Sequence, residues 1–424
     1  MITVDISNIW CSVSLQEVLS REQHLNDAHL ALTGGEYRQN CFLGWVMPPD
    51  GNQKTLMREI SGMAARIAAN SRVLVVVGTG ALCGGARGVQ RLVSGRRAQS
   101  PQCLFVGDSL SPEDWVEVTS ILENTDFSVL VTTPAGSETA PLVLFRALRW
   151  IMEKRYGEGT KERIFVAPGA VKSVLTKVAR EEGYALLLPP TEPGAAMSML
   201  TPAGLLLLAV AGRSPGLLWD GAVEMRTICD GRSLENPAWL YAAARAALLQ
   251  KGFSGELLCT TDPRAAELGQ WWSRVLMAAC GKDGMGTAVL PVRLPGDFRI
   301  FGDYLLSCGK KQFATMFSLP ESGRKVTVEM AWRDVDGLNT LAGKDFSALE
   351  EQTMASIREA MSDASVPYLQ VSCEEPLTDD KLGELLYFAE FSAGLSARVL
   401  GADPVKQSGS DAVWEALQKK FINL

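Results

Sequence analysis

The chain is 424 residues long, 47% hydrophobic and 21% charged, with a formal net charge of −7. That length suits two domains or two fused halves of an ordinary globular enzyme, and the acidic balance argues against nucleic acid, whose recognition needs a basic footprint. The most apolar run, Ala203 to Gly212, is far too short to cross a bilayer, and only two histidines, His24 and His29, are available for acid–base work near neutral pH.

Residues 1–45 read as helix and loop, ending in Phe42-Leu43-Gly44-Trp45. They carry no basic segment followed by an apolar one, so no signal peptide is expected. Met47-Pro48-Pro49-Asp50-Gly51 reads as a turn, and a helix is expected from Gln53 to Asn70. Val73 to Val77, apolar on both faces, predicts a central strand of a parallel sheet. Gly78, Gly80, Gly84 and Gly85 follow, and then a helix. A strand–glycine–helix turn offers free N–H groups and a positive dipole end, a candidate anion site. The glycine spacing is not the dinucleotide fingerprint and lacks the P-loop Lys-Ser/Thr pair, so no nucleotide cofactor is expected.

Leu104 to Val106 is the next strand. Ser111-Pro112-Glu113-Asp114 then starts a helix, with Ser as the cap and acids in the first turn. Phe127 to Val131 is a strand that opens into Thr133-Pro134-Ala135-Gly136-Ser137-Glu138-Thr139. The helix beyond it is apolar at Leu142, Phe145, Leu148 and Met152. Ile164 to Val166 (strand), Val171 to Glu182 (helix) and Ala185 to Leu188 (strand) continue the alternation. A helix follows through Leu205 to Leu208. A second alternating block has strands at Leu257 to Cys259, Ala288 to Val292, Val326 to Met330 and Leu369 to Val371, and the last helix is expected at Ser410 to Phe421. Such alternation predicts an α/β chain with doubly wound parallel sheets. Nine scattered cysteines, an odd count with no C-x-x-C, fit a reducing cytoplasmic setting rather than a disulfide framework or a zinc site, and no metal is expected.

Five strings, in order and spacing, resemble the phosphoglucose (glucose-6-phosphate) isomerase family. They are Phe42-Leu43-Gly44-Trp45, Gly78 to Arg87, Glu235-Asn236-Pro237-Ala238, Trp271-Trp272 with Gly281-Lys282-Asp283-Gly284, and Asp336-Gly337-Leu338-Asn339 with Leu341-Ala342-Gly343-Lys344. The resemblance implies two flavodoxin-like sugar-isomerase (SIS) domains and a homodimer with the active site near the subunit interface. On that reading residues 1–45 are an N-terminal helical segment packing on the second domain, 46–215 the first domain, 216–400 the second and 401–424 a C-terminal arm.

An aldose–ketose isomerase of this kind needs a carboxylate base, a ring-opening group, a cation beside the enediolate and a phosphate cradle. The family's base falls at Ala278, its ring-opening His at Arg299, its C-terminal Lys at Trp414 (Lys419 and Lys420 lie further on) and its Arg at Ala196. In the cradle, Pro134 replaces a Lys and removes an N–H, Ala135 removes a hydroxyl, and Glu138 puts a carboxylate where a phosphate oxygen sits. At 4 Å such a pair of charges repels by about 1 kcal/mol in water and ~4 in a protein-like medium. Glu138 is therefore read as standing in for the missing anion. Leu82 occupies the place of a family Ser, and Arg87 is read as pairing with a carboxylate of its own chain.

The positions left to hold a sugar or sugar-phosphate-like ligand are Gly80, Gly85, Thr133, Ser137, Glu138, Thr139, Arg299 and Gln407; Asp297, Asp303, Cys280 and Cys308 are candidates for a rebuilt site. Two functions follow. One is a non-catalytic binding or interaction protein on the isomerase scaffold. The other is a working glucose 6-phosphate/fructose 6-phosphate isomerase of glycolysis and gluconeogenesis, or an isomerase on a different sugar.

Overall fold

The computed structural model describes residues 2–34, 42–94, 101–136, 138–189, 194, 196–282, 284–307, 311–320, 323–406, 412–413, 416–417 and 419–420. The chain opens with strand β1 (Ile2–Asp5) and helices α1 (Leu15–Leu19), α2 (Glu22–Thr33) and α3 (Gly51–Asn70). The opening strand departs from the helix-and-loop expectation. Four residues are too few to show a period, and pairing antiparallel with residues 370–373 is what makes them a strand. Helix α3 begins at a capping box: Asp50 accepts the Asn52 and Gln53 N–H groups, and Gln53 accepts the Asp50 N–H.

Next come β2 (Val73–Gly78), α4 (Gly80–Ser94), β3 (Gln102–Val106), α5 (Pro112–Glu123), β4 (Phe127–Thr132), α6 (Thr139–Tyr156), β5 (Ile164–Val166), α7 (Val174–Glu182) and β6 (Ala185–Leu186). The sheet order is β3-β2-β4-β5-β6, all parallel. This is the flavodoxin-like order, and its switch point lies between β2 and β4. Val73 to Val77 are buried on both faces, as the continuous apolar run requires. Helix α7 starts later than expected, where Ser173 accepts the Thr176 N–H.

Helices α8 (Pro202–Val210), α9 (Pro215–Cys229) and α10 (Pro237–Gln250) lead into the second half. Asn236 of Glu-Asn-Pro-Ala is a buried cap. It accepts the Ala238 and Trp239 N–H groups and donates to the Cys229 and Gly231 carbonyls. Strand β7 (Gly255–Thr260), α11 (Ala266–Cys280), β8 (Ala288–Arg293), α12 (Phe298–Ser307), β9 (Gln312–Ser318), α13 (Phe346–Asp363), β10 (Tyr368–Cys373) and α14 (Asp379–Val399) complete the chain. The second sheet runs β1-β10-β9-β7-β8. Without β1 it is parallel and repeats the winding of the first. Beneath it, Arg245 pairs with Glu256 at 2.7 Å, both buried, while Tyr241 and Thr315 donate to the other carboxylate oxygen.

The expected strand at Val326 to Met330 does not form. Only an isolated bridge, Thr327 to Asp345, links an arm that runs between β9 and α13. The arm is ordered by its own bonds: Val328 N–H to Lys344 O, Gly343 N–H to Val328 O, and the Asn339 amide to both polar groups of Ala331. With no neighbouring strand, Val326 and Met330 stay exposed and Val328 is only half-buried. The core instead centres on α14, which is buried on every face from Leu382 to Ala397 and packs against α9, α11, α10 and α2. The expected terminal helix falls largely outside the described residues.

Candidate functional site

A cleft opens at the carboxyl ends of the first sheet, at its switch point. Thr79 and Leu82 line it from the β2–α4 turn, Thr132 to Pro134 from the end of β4, Ala167 to Gly169 from the end of β5, and Gly194, Ser198 and Thr201 to Ala203 from the segment before α8. It encloses about 480 Å³ including its mouth, but only about 30 Å³ admits the centre of a water molecule. Among the described residues that line it, none carries an ionisable side chain; the polar side chains are hydroxyls of Thr and Ser.

Glycines fix the back of the site. Gly80 starts α4 at φ +79°, a conformation that favours glycine. Gly85 and Gly88 form a seam against α11: a Cβ at Gly85 would lie 2.4 Å from Met199 Sδ and 2.9 Å from Trp271 Nε1, and one at Gly88 2.8 Å from the Leu268 backbone. Gly84 faces Arg274 across the same seam. The helices thus run antiparallel, and one further turn carries Ala278 toward the Gly80 end of α4. Gly85 serves this packing and is absent from the cleft's lining.

Two N–H groups of the β4–α6 turn are bonded within the turn itself. Gly136 N–H donates to Thr133 Oγ1 at 3.0 Å, and Ala135 N–H donates to Glu138 Oε1 at 2.8 Å. Pro134 has no N–H to offer. Glu138 is also the residue before α6, where its carbonyl accepts the Leu142 N–H. A carboxylate therefore accepts an N–H of the helix-opening turn that an external anion would otherwise meet.

Behind the opposite wall lies Glu390, in the middle of α14 and fully buried. Its Oε1 accepts the Met199 N–H at 2.9 Å, while Oε2 has no hydrogen-bond partner among the described side chains and backbone. Burial pushes this carboxyl up to about 8, against the pull of the Met199 and Ser198 N–H groups. Sequence reading missed Glu390. The available signal was a single acid inside the apolar stretch Leu385 to Ala397.

The remaining sequence candidates disperse. Ala196 is buried, Ala278 half-buried and Thr139 half-buried at the start of α6. Arg299 is exposed on α12 and does not line the cleft. Nor do Asp297, whose carboxylate accepts the Arg293 N–H, or the exposed Asp303. Cys280 is buried against Arg245 and donates to the Ala393 carbonyl, and burial raises its thiol pKa, the opposite of what a nucleophile needs. Arg87 pairs with Asp108 at 3.8 Å and covers the Phe105 ring. Ser137, Cys308, Gln407 and Trp414 lie outside the described residues. Among the described residues no group of side chains is arranged to hold a metal ion, and no helix is long and apolar enough to cross a membrane.

No protein-family model matches the chain. Among solved structures, a hypothetical protein from Thermus thermophilus superposes with a TM-score of 0.85 at 18% identity, covering 99% of this chain and 100% of that one. A glucose-6-phosphate isomerase from Chlamydia trachomatis gives 0.77 at 14% identity, over 96% of this chain and 85% of its own. Both likenesses concern the fold. Sequence relatives are nearer: a Clostridium perfringens protein named glucose-6-phosphate isomerase is 32% identical over 97% of this chain and 93% of its own length. A protein of that name from Shouchella clausii is 32% identical over 93% and 90%. With near-full-length similarity on both sides, and the paired flavodoxin-like sheets already in view, the chain belongs to the glucose-6-phosphate isomerase family.

Proposed function

We propose that this chain is a divergent family member that binds a sugar-like ligand without isomerising it, and that it works as a homodimer in the cytoplasm. One observation carries the reading: among the described residues, the cleft at the switch point is lined without a single ionisable side chain. Moving a proton between neighbouring sugar carbons requires a positioned base, and each acid–base group is worth roughly 10²–10⁴ in rate. Ala278, where the family has its base, offers none. Glu138 supports the same reading, since its carboxylate already takes an N–H of the turn that a phosphate would occupy.

The competing reading, a working glucose 6-phosphate isomerase, is favoured by the names of the relatives. It requires acid–base groups from beyond the described lining of this cleft. A coupled assay on the purified chain separates the two. Turnover at least about 10⁴-fold below that of an ordinary family isomerase is expected, with no rise in melting temperature on adding glucose 6-phosphate to the wild type and a measurable rise for Glu138→Thr. Turnover within tenfold of an ordinary isomerase overturns the proposal.

A further inference from the structure

A second cavity, unrelated to sugar chemistry in its lining, stands behind the first cleft and shares Pro202 with it. It offers about 210 Å³ to water-sized centres. Trp45 and Trp219 form its aromatic walls, Leu200 and Leu205 its floor, and Leu56 and the exposed Met47 stand where it meets solvent. Both indole N–H groups are committed to backbone: Trp45 donates to Leu200 O at 3.1 Å and Trp219 to Met47 O at 2.9 Å. The rings are left with π faces and carbon edges to offer. Among the described residues, Gln53 is the one lining side chain with an amide, and its carbonyl oxygen accepts the Asp50 N–H of the helix cap.

We propose that this cavity binds a small uncharged molecule built on one aromatic ring, a substituted benzene in chemical class. Size, shape and polarity agree. Apolar cavities of about 150 Å³ stay dry and take up benzene, so a cavity of this size and lining has a driving force to fill with a ring. Two tryptophans provide offset-stacked or edge contacts. Water is a poor occupant, because a buried water needs two or more polar partners. A sugar is worse, since its hydroxyls would lose their hydrogen bonds against carbon walls. No ionisable side chain is among the described lining residues to pair with a charged ring.

The site does not depend on whether the first cleft is catalytic, and its test is independent of turnover. Saturation-transfer NMR and thermal shift with p-cresol are expected to show binding with a dissociation constant on the order of 1 mM or tighter, unchanged by excess glucose. Leu56→Trp, which fills the cavity from its mouth, is expected to weaken p-cresol at least tenfold while folding normally. Met47→Trp, a surface change at the same mouth, gives a second variant with the same expectation. Absence of saturation transfer to p-cresol in the wild type overturns the proposal, as does undiminished binding in both variants.

Discussion

Glu390 shows how one buried side chain can set the pH response of a whole chain. Its folded-state carboxyl sits near 8, well above the 4.5 of an exposed glutamate. Between those two values the folded chain holds a proton that the unfolded chain releases. Stability is therefore full below about pH 4.5 and falls as pH rises toward 8, by up to a few kcal/mol in total. Glu390→Gln keeps an acceptor for the Met199 N–H and abolishes the titration. Denaturant midpoints should show the variant gaining on the wild type steadily from pH 5 to pH 8.5. A gap that does not change with pH excludes this account. Glu138 works on the other side of the cleft by a different logic, closing the helix-opening turn with a charge of the chain's own.

The helices are held by close backbone approach at glycines. Where α9 crosses α14, a Cβ at Gly383 would lie 2.0 Å from the Leu218 carbonyl oxygen, and one at Gly221 1.8 Å from that of Asp380. Neither neighbour is a flexible side chain, so an added methyl forces the two helices apart. Gly383→Ala should cost at least ~2–3 kcal/mol, the upper range for overpacking. Gly62, inside α3, has nothing within 4 Å of its virtual Cβ. There the same substitution should stabilise by about 0.5–1 kcal/mol through helix propensity. Urea denaturation of the two variants side by side checks both signs; equal effects rule out the crossing as the cause.

Across the whole molecule, the arm between β9 and α13 is the surface that calls for a partner. Trp332 is 96% exposed, Val335 88% and Met330 74%, on a segment ordered by its own hydrogen bonds. Monomers rarely leave such a patch open, and the proposed homodimer gives it a place to go. Trp332→Ser should weaken dimerisation by about tenfold or more, since a buried aromatic removes 150–250 Å² from water. Light scattering across a dilution series reads the change. An unchanged dimer, or a monomeric wild type, removes the arm from the interface.

Much of the fold was legible because its signals are local. The apolar run at Val73 to Val77, the Ser111-Pro112 cap and the glycines after β2 each fix a strand, a helix start or a turn from neighbouring residues alone. The family strings proved to be architecture: Asn236 is a cap, Trp271 and Trp272 are buried core, Phe42 lies where a Cβ on Gly394 would meet it at 2.3 Å, and Asp336-Gly337-Leu338-Asn339 orders the arm. That is why fold and family could be read while chemistry could not. The substitutions at Ala278 and Pro134 are visible in the sequence. The engagement of Glu138 by the Ala135 N–H is not, because hydrogen-bond geometry is not encoded in spacing.

Tertiary structure alone decided three things. Ile2–Asp5 became a strand because a free edge was there to pair with. Val326 to Met330, with a better strand pattern, did not, because the segment beside it pairs at a single bridge, Thr327 to Asp345, before turning into α13. Glu390 became a raised, half-satisfied carboxyl because every face of α14 is covered. The sequence by itself determined the elements and the family, through local pattern. Burial and pairing depend on residues far apart in the chain, and they settled which groups meet, which stay charged and which surface is left open.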